Sequence, residues 1–282
     1  AYSWAHPQVA RVSPKTSVLT DLLRQRPYKG PPATPTDCGF SMDELLEAVP
    51  CSESELRSAL TLSNTLQLNG RWQMVDSDYM ADLLHLLLLS AVEKDWPAWA
   101  IPGGTAESLL QREGFDPAVV AHCLAAFSKR DDDTPEPMEQ DGSPAGESRS
   151  LWDLDPTKVC PCFARALLQT PHWHASDFME AWVKSIPMKE LRPTTEMLTG
   201  LALVETRGGV EYVKRFEADK LPTNPGERFE ALFRERPAWT MEDLEPYLRG
   251  MEGGGMSVET LLLKYSRAVQ KMPGDPVTYT AR

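Results

Sequence analysis

The chain has 282 residues, 41% of them hydrophobic, enough for one large domain or several small ones. Its net charge of −12 argues against strong non-specific nucleic-acid affinity over the whole surface. No apolar run reaches 18 residues, so no transmembrane helix is expected, and five cysteines in no regular framework fit a reducing compartment.

Residues 1–16 show no clear period and read as a tail. The chain starts at Ala1 without a basic-then-apolar leader, so no secretory signal is expected, and the missing Met reads as a fragment or a trimmed chain. Ser17 to Arg26 reads as a short helix stopped by Pro27, and the Pro-rich Lys29 to Asp37 as loop. Ser41-x-x-Glu44 and Ser52-x-x-Glu55 are capping boxes opening two further helices. Asn69-Gly70 between alternating apolar residues signals a hairpin over Thr65 to Val75. Residues 17–77 therefore read as three helices and a β wing.

The plan recurs over 78–155. Helices are expected at Asp78 to Glu93, at Thr105 to Arg112, and from Asp116-Pro117 to about Phe127. Ile101-Pro102-Gly103-Gly104 reads as a turn. Asp131 to Ser150 reads as an insertion without enough apolar surface to order itself; its seven carboxylates to Glu147, with no Lys or Arg, contribute −7 of the −12. Leu151 to Leu154 is the returning strand.

Residues 156–222 follow with helices from Asp155-Pro156 to about Leu168 and from Ser176 to Ser185. A short third helix falls at Thr195 to Thr199, then a hairpin around Gly208-Gly209. Residues 223–282 repeat the plan: an amphipathic helix around Arg228, a turn at Arg236-Pro237, a helix capped at Thr240, a break at Gly253-Gly254-Gly255, a helix from Ser257 and a strand-like end. Three short helices with a β tail are the ground plan of a winged helix. The fold expected is mainly α with small β wings, as tandem winged-helix modules in an elongated array.

Several blocks resemble the "defective in sister chromatid cohesion" family. They are RFEALFRERPAWTMEDLEPYL with LLLKYSR at the C-terminal end, Leu198 to Val204, the Lys220-Leu221-Pro222 step, Asn69 to Trp72, and Phe178 to Pro187. The likeness covers roughly residues 17–282; it lacks a preceding N-terminal β-barrel and carries the 131–150 insertion. The resemblance implies a nuclear, non-enzymatic accessory subunit of the alternative, cohesion-linked replication factor C clamp loader. It also implies, as partners, the loader's large subunit, a small barrel partner, the leading-strand DNA polymerase epsilon, the sliding clamp indirectly, and single- or double-stranded DNA. The family is described with three winged helices, so the count of four leaves three open.

Chemistry-bearing motifs are sparse. The triple glycine lacks the GK[ST] ending of a P-loop, and no serine sits in G-x-S-x-G, so no enzyme activity and no cofactor are expected. Cys160, Cys162, His172 and His174 tempt as a zinc set, but their spacing matches no common framework. Two small, mostly buried cysteines and a surface His pair is the preferred reading, with no metal. Trp72, Trp96, Trp99, Trp152, Trp173, Trp182 and Trp239 read as core anchors. The candidate DNA-binding residues are Lys264, Arg267 and Lys271, at i, i+3 and i+7 of the last helix, with Arg282 reaching from the tail. The alternative is a protein-interaction scaffold with no DNA contact.

Overall fold

The computed structural model describes residues 16–31, 39–63, 65–129, 151–170, 172–249, 251, 257–270, 272 and 274–282. It is mostly helical with small antiparallel sheets. The acidic insertion, the triple glycine and all of the expected tail but Thr16, which opens the first helix, lie outside the described residues. No helix among the described residues is long and apolar enough to cross a membrane.

The first stretch holds α1 (Thr16–Leu23), α2 (Met42–Ala48), α3 (Glu53–Leu62), β1 (Leu66–Leu68) and β2 (Arg71–Gln73). Both capping boxes form as expected: the Ser41 and Ser52 hydroxyls accept from the Glu44 and Glu55 amides, and each glutamate accepts from its serine's amide. Asn69 (φ 51°) and Gly70 (φ 77°) turn β1 into β2 in the left-handed region that Asn and Gly tolerate. Leu19, Leu23, Phe40, Leu45, Val49, Leu56 and Leu60 close a small core against Trp72.

The second stretch has α4 (Ser77–Glu93), β3 (Ile101–Pro102), α5 (Gly103–Arg112), α6 (Pro117–Phe127) and β4 (Leu151–Trp152). Ile101 and Pro102 are strand rather than turn, because they pair with Trp152 and Leu151, a partner about 50 positions away in sequence. Gly103 and Gly104 then open α5. Asp116 caps α6 with Pro at its first turn, where the missing N–H costs nothing.

The third stretch runs through α7 (Pro156–Leu167), β5 (Trp173–His174), α8 (Ala175–Ser185), a 3-10 turn (Thr195–Leu198), β6 (Ala202–Arg207) and β7 (Val210–Arg215). The fourth has α9 (Pro225–Glu235), β8 (Ala238–Thr240), α10 (Met241–Leu248), α11 (Val258–Tyr265), β9 (Ser266–Val269) and β10 (Thr278–Ala281).

One connectivity recurs. In the third and fourth stretches the sheet order is β5-β7-β6 and β8-β10-β9, so the last strand of each lies between the other two. The first stretch does the same with Phe40 bridged to Trp72 on the open side of β2. The second does it with Ser128 bridged to Leu154 just beyond β4. Compact packing divides the chain into two units, Ala1–Val159 with Pro187–Leu191, and Cys160–Ile186 with Arg192–Arg282.

The tryptophans split. Trp182 and Trp239 are buried anchors, donating their indole N–H to the Cys160 carbonyl (2.8 Å) and the Leu232 carbonyl (3.0 Å). Trp99 is 61% exposed and anchors nothing.

Candidate nucleic-acid interface

The C-terminal stretch is built around Phe229, Leu232, Trp239, Leu244, Tyr247, Leu248, Leu261 and Leu262. Helix α11 enters this core with Leu261 and Leu262 buried. Tyr265 stacks on Phe229, with ring centroids 5.4 Å apart. Tyr279 on β10 packs against the same core. Both tyrosines therefore serve packing rather than an exposed stacking platform.

The predicted basic helical face is corrected by where α11 ends. The helix stops at Tyr265, so Lys264 and Arg267 do not share it. Ser266 turns extended (φ −133°, ψ 169°), and its hydroxyl donates to the Leu262 carbonyl (2.6 Å). This local bond competes with further helix. The chain then pairs as β9 with β10, placing Arg267 opposite Thr280. Lys271 lies outside the described residues.

The three described cations still sit near one another in the chain's path. Lys264 is exposed on the last turn of α11, with its ammonium 5.0 Å from the Tyr265 ring centroid. Arg267 is exposed on β9. Its face follows from register. Tyr279 points into the core, so its neighbours Thr278 and Thr280 and their cross-strand partners Val269 and Arg267 point away.

Arg282 folds back rather than reaching out. Its Nη1 donates to the Leu263 (3.0 Å) and Lys264 (3.2 Å) carbonyls, satisfying acceptors that the end of α11 leaves open. Lys264 and Arg282 thus also complement the negative end of the helix dipole. Glu259, in the first turn of α11, is the opposing charge; its acid is held below the usual carboxylate range, chiefly by the Ser257 hydroxyl.

Sequence reasoning missed the residue that orders this stretch. Arg228 is 8% exposed, and its guanidinium donates to the carbonyls of Ala218 (2.8 Å), Pro222 (3.2 Å) and Tyr247. Burial pulls its pKa down, opposed by the nearby Asp219 carboxylate. It behaves as a strut that joins the 3-10 turn Ala218–Lys220 to the end of α10. The only sequence signal was a lone Arg on the apolar side of an amphipathic helix.

The cysteine–histidine set is not assembled as a metal centre. Cys160 is buried in α7, burial pushes the Cys162 thiol up to about 11, and the His174 ring lies 4.8 Å from that of Tyr212. Among the described residues no group of three or more His, Cys, Asp and Glu side chains is placed to hold a metal ion.

Comparison with known proteins identifies the family. A family model described as sister chromatid cohesion protein Dcc1 matches residues 4–248. The human sister chromatid cohesion protein DCC1 is 29% identical over 268 residues, covering 93% of this chain and 64% of its own length. A Dictyostelium discoideum protein, the probable sister chromatid cohesion protein DCC1, is 28% identical over 290 residues, 98% of this chain and 76% of its own. The Saccharomyces cerevisiae protein of the same name is 23% identical over 264 residues, with 86% and 62% covered. The chain thus spans less than two thirds of the human relative. With most of its residues inside the match, the chain belongs to the sister chromatid cohesion protein Dcc1 family.

Proposed function

We propose that the chain is a non-enzymatic accessory subunit acting in sister chromatid cohesion, in the nucleus, as part of an alternative sliding-clamp loader used during DNA replication. The family match over residues 4–248 carries this reading. The recurring connectivity, with the last strand between the other two, fits a winged helix. On this reading the modules run over 17–77, 78–155, 156–222 and 223–282. They tether the loader to polymerase epsilon and touch single- or double-stranded DNA through Lys264, Arg267, Lys271 and Arg282. The loader's large subunit and small barrel partner complete the assembly. In cells of the source species, removing the protein should raise the fraction of metaphases with prematurely separated sisters. Normal cohesion after complete removal would sink the reading.

DNA contact has its own test. The 282-residue chain, titrated into labelled duplex and single-stranded oligonucleotides, should bind weakly and without sequence preference. A log–log salt slope of about 3 is expected, near one per phosphate neutralised. Lys264→Glu, Arg267→Glu and Lys271→Glu together should abolish it; an unchanged affinity in the folded triple variant would refute the DNA contact. A protein-only scaffold is the second reading. It is favoured by Arg282, whose guanidinium already serves the end of α11, and by the acidic balance of the chain.

A further inference from the structure

The surface around the end of α11 is not only basic. Of the twelve exposed large apolar residues among the described ones, four fall between 263 and 277: Leu263, Val269, Met272 and Val277. Leu263 is 77% exposed, the most exposed of the twelve. It sits beside Lys264 on the last turn of α11, and Arg282 rests on its carbonyl. Val269 faces away from the core on the same side of β9 as Arg267. Val277 precedes Thr278, the cross-strand partner of Val269, and Met272 lies in the segment joining the two strands. Leu263 and Val269 are therefore interleaved with the cations at the end of α11 and along β9, with Met272 and Val277 exposed in the adjoining segment.

Phosphates use the cations and gain nothing from a solvent-exposed leucine. Exposed apolar side chains set among charges mainly of one sign mark a surface that another protein covers; here Lys264, Arg267 and Arg282 outnumber the exposed Glu259 and Asp275. The complement is a segment that brings carboxylates to Lys264, Arg267 and Arg282 and an apolar side chain to Leu263. Glu259 lies one turn before Leu263 on α11 and would repel the ligand's carboxylates, confining them to the Lys264 end of the helix.

We propose that this face binds an acidic peptide segment carrying an apolar anchor, in competition with DNA. The proposal rests on the reading of the C-terminal stretch as an interface, and deepens it by naming a second ligand class. A random dodecapeptide library displayed on phage would be panned on the 282-residue chain, with the Leu263→Ser protein as counter-target. Since Leu263 packs little, that variant is expected to fold; melting would verify it.

Enriched peptides should combine Asp and Glu with a Leu, Ile or Phe. A synthetic copy of one should bind at least ten-fold more weakly to Leu263→Ser and to the Lys264→Glu, Arg267→Glu double variant, and should displace a labelled duplex. Duplex affinity itself should be unchanged by Leu263→Ser. Enriched peptides without acidic character, or equal binding to Leu263→Ser, overturn the proposal. Duplex binding with no peptide enrichment assigns the face to DNA alone and also overturns it. Peptide binding without duplex binding keeps the peptide site but overturns its competition with DNA, and removes the DNA contact.

Discussion

Arg228 shows what one buried cation does when backbone carbonyls, rather than a hydrogen-bonded carboxylate, receive its protons. Its four carbonyl partners belong to Ala218, Leu221, Pro222 and Tyr247, so its removal leaves several acceptors without a donor. Arg228→Ala should cost about 3 kcal/mol in urea unfolding, and Arg228→Lys should recover little, because an ammonium cannot reach these acceptors in a fork. A loss under about 1 kcal/mol would show the strut is dispensable. Gly39 is the backbone counterpart. It has φ +52°, and a Cβ there would lie 2.5 Å from the Trp72 carbonyl oxygen. Gly39→Ala should cost about 3 kcal/mol, whereas Gly70→Ala, at φ +77° with nothing near, should cost about 1. Tyr247 carries the pH dependence at this scale: burial pushes its phenol up to about 12 from 10.0. Its folded form holds the proton more tightly than its unfolded form. Its contribution is therefore complete below pH 10 and is lost as pH rises from 10 to 12. Tyr247→Phe should flatten the alkaline limb of a stability-against-pH curve. A limb unchanged in Tyr247→Phe would assign the transition to another group.

At the scale of elements, what the sequence revealed was whatever is local. Caps at Ser41, Ser52, Asp116, Thr240 and Ser257 each accept from an amide two or three positions on, so a window of four residues contains the whole signal. The hairpins at Asn69-Gly70 and Gly208-Gly209 were legible for the same reason. The strands β3, β5 and β8 were not. They are two or three residues long, and their pairing partners lie about 40 to 50 positions away, which no short window contains. The basic face failed at this point, since Lys264 and Arg267 have helical spacing but Ser266 ends the helix between them. The cations themselves were legible; the element that presents them was not. Asp76 tests the value of a single cap. Its Oδ1 accepts from Asp78 (3.0 Å) and Tyr79 (3.3 Å) at the start of α4, the 17-residue helix. Asp76→Ala should lower stability by about 1 kcal/mol, read from the urea midpoint, with helical content retained. An unchanged midpoint would mean that packing alone holds α4.

At the scale of the whole chain, the recurring connectivity tolerates interruption where its strands already meet. The Lys129 amide donates to the Asp153 carbonyl (2.8 Å), and Ser128 is bridged to Leu154, so the ends flanking 130–150 are held side by side by described residues. Replacing Asp131 to Ser150 with a short Gly/Ser turn should leave the melting temperature within a few degrees, because loop-closure cost changes slowly with length. A drop of ten degrees would show that the segment packs. The grouping into two compact units was not legible in the sequence, since it depends on contacts between segments far apart in sequence. In the second unit Leu203, Phe216, Ala218 and Leu221 belong to the same core as α9, α10 and α11, and Tyr247 donates its hydroxyl to the Phe216 carbonyl. A recombinant fragment cut near residue 223 would leave that shared core open to water on one side, so it should be recovered mainly as aggregate, whereas one beginning before α7 should stay soluble.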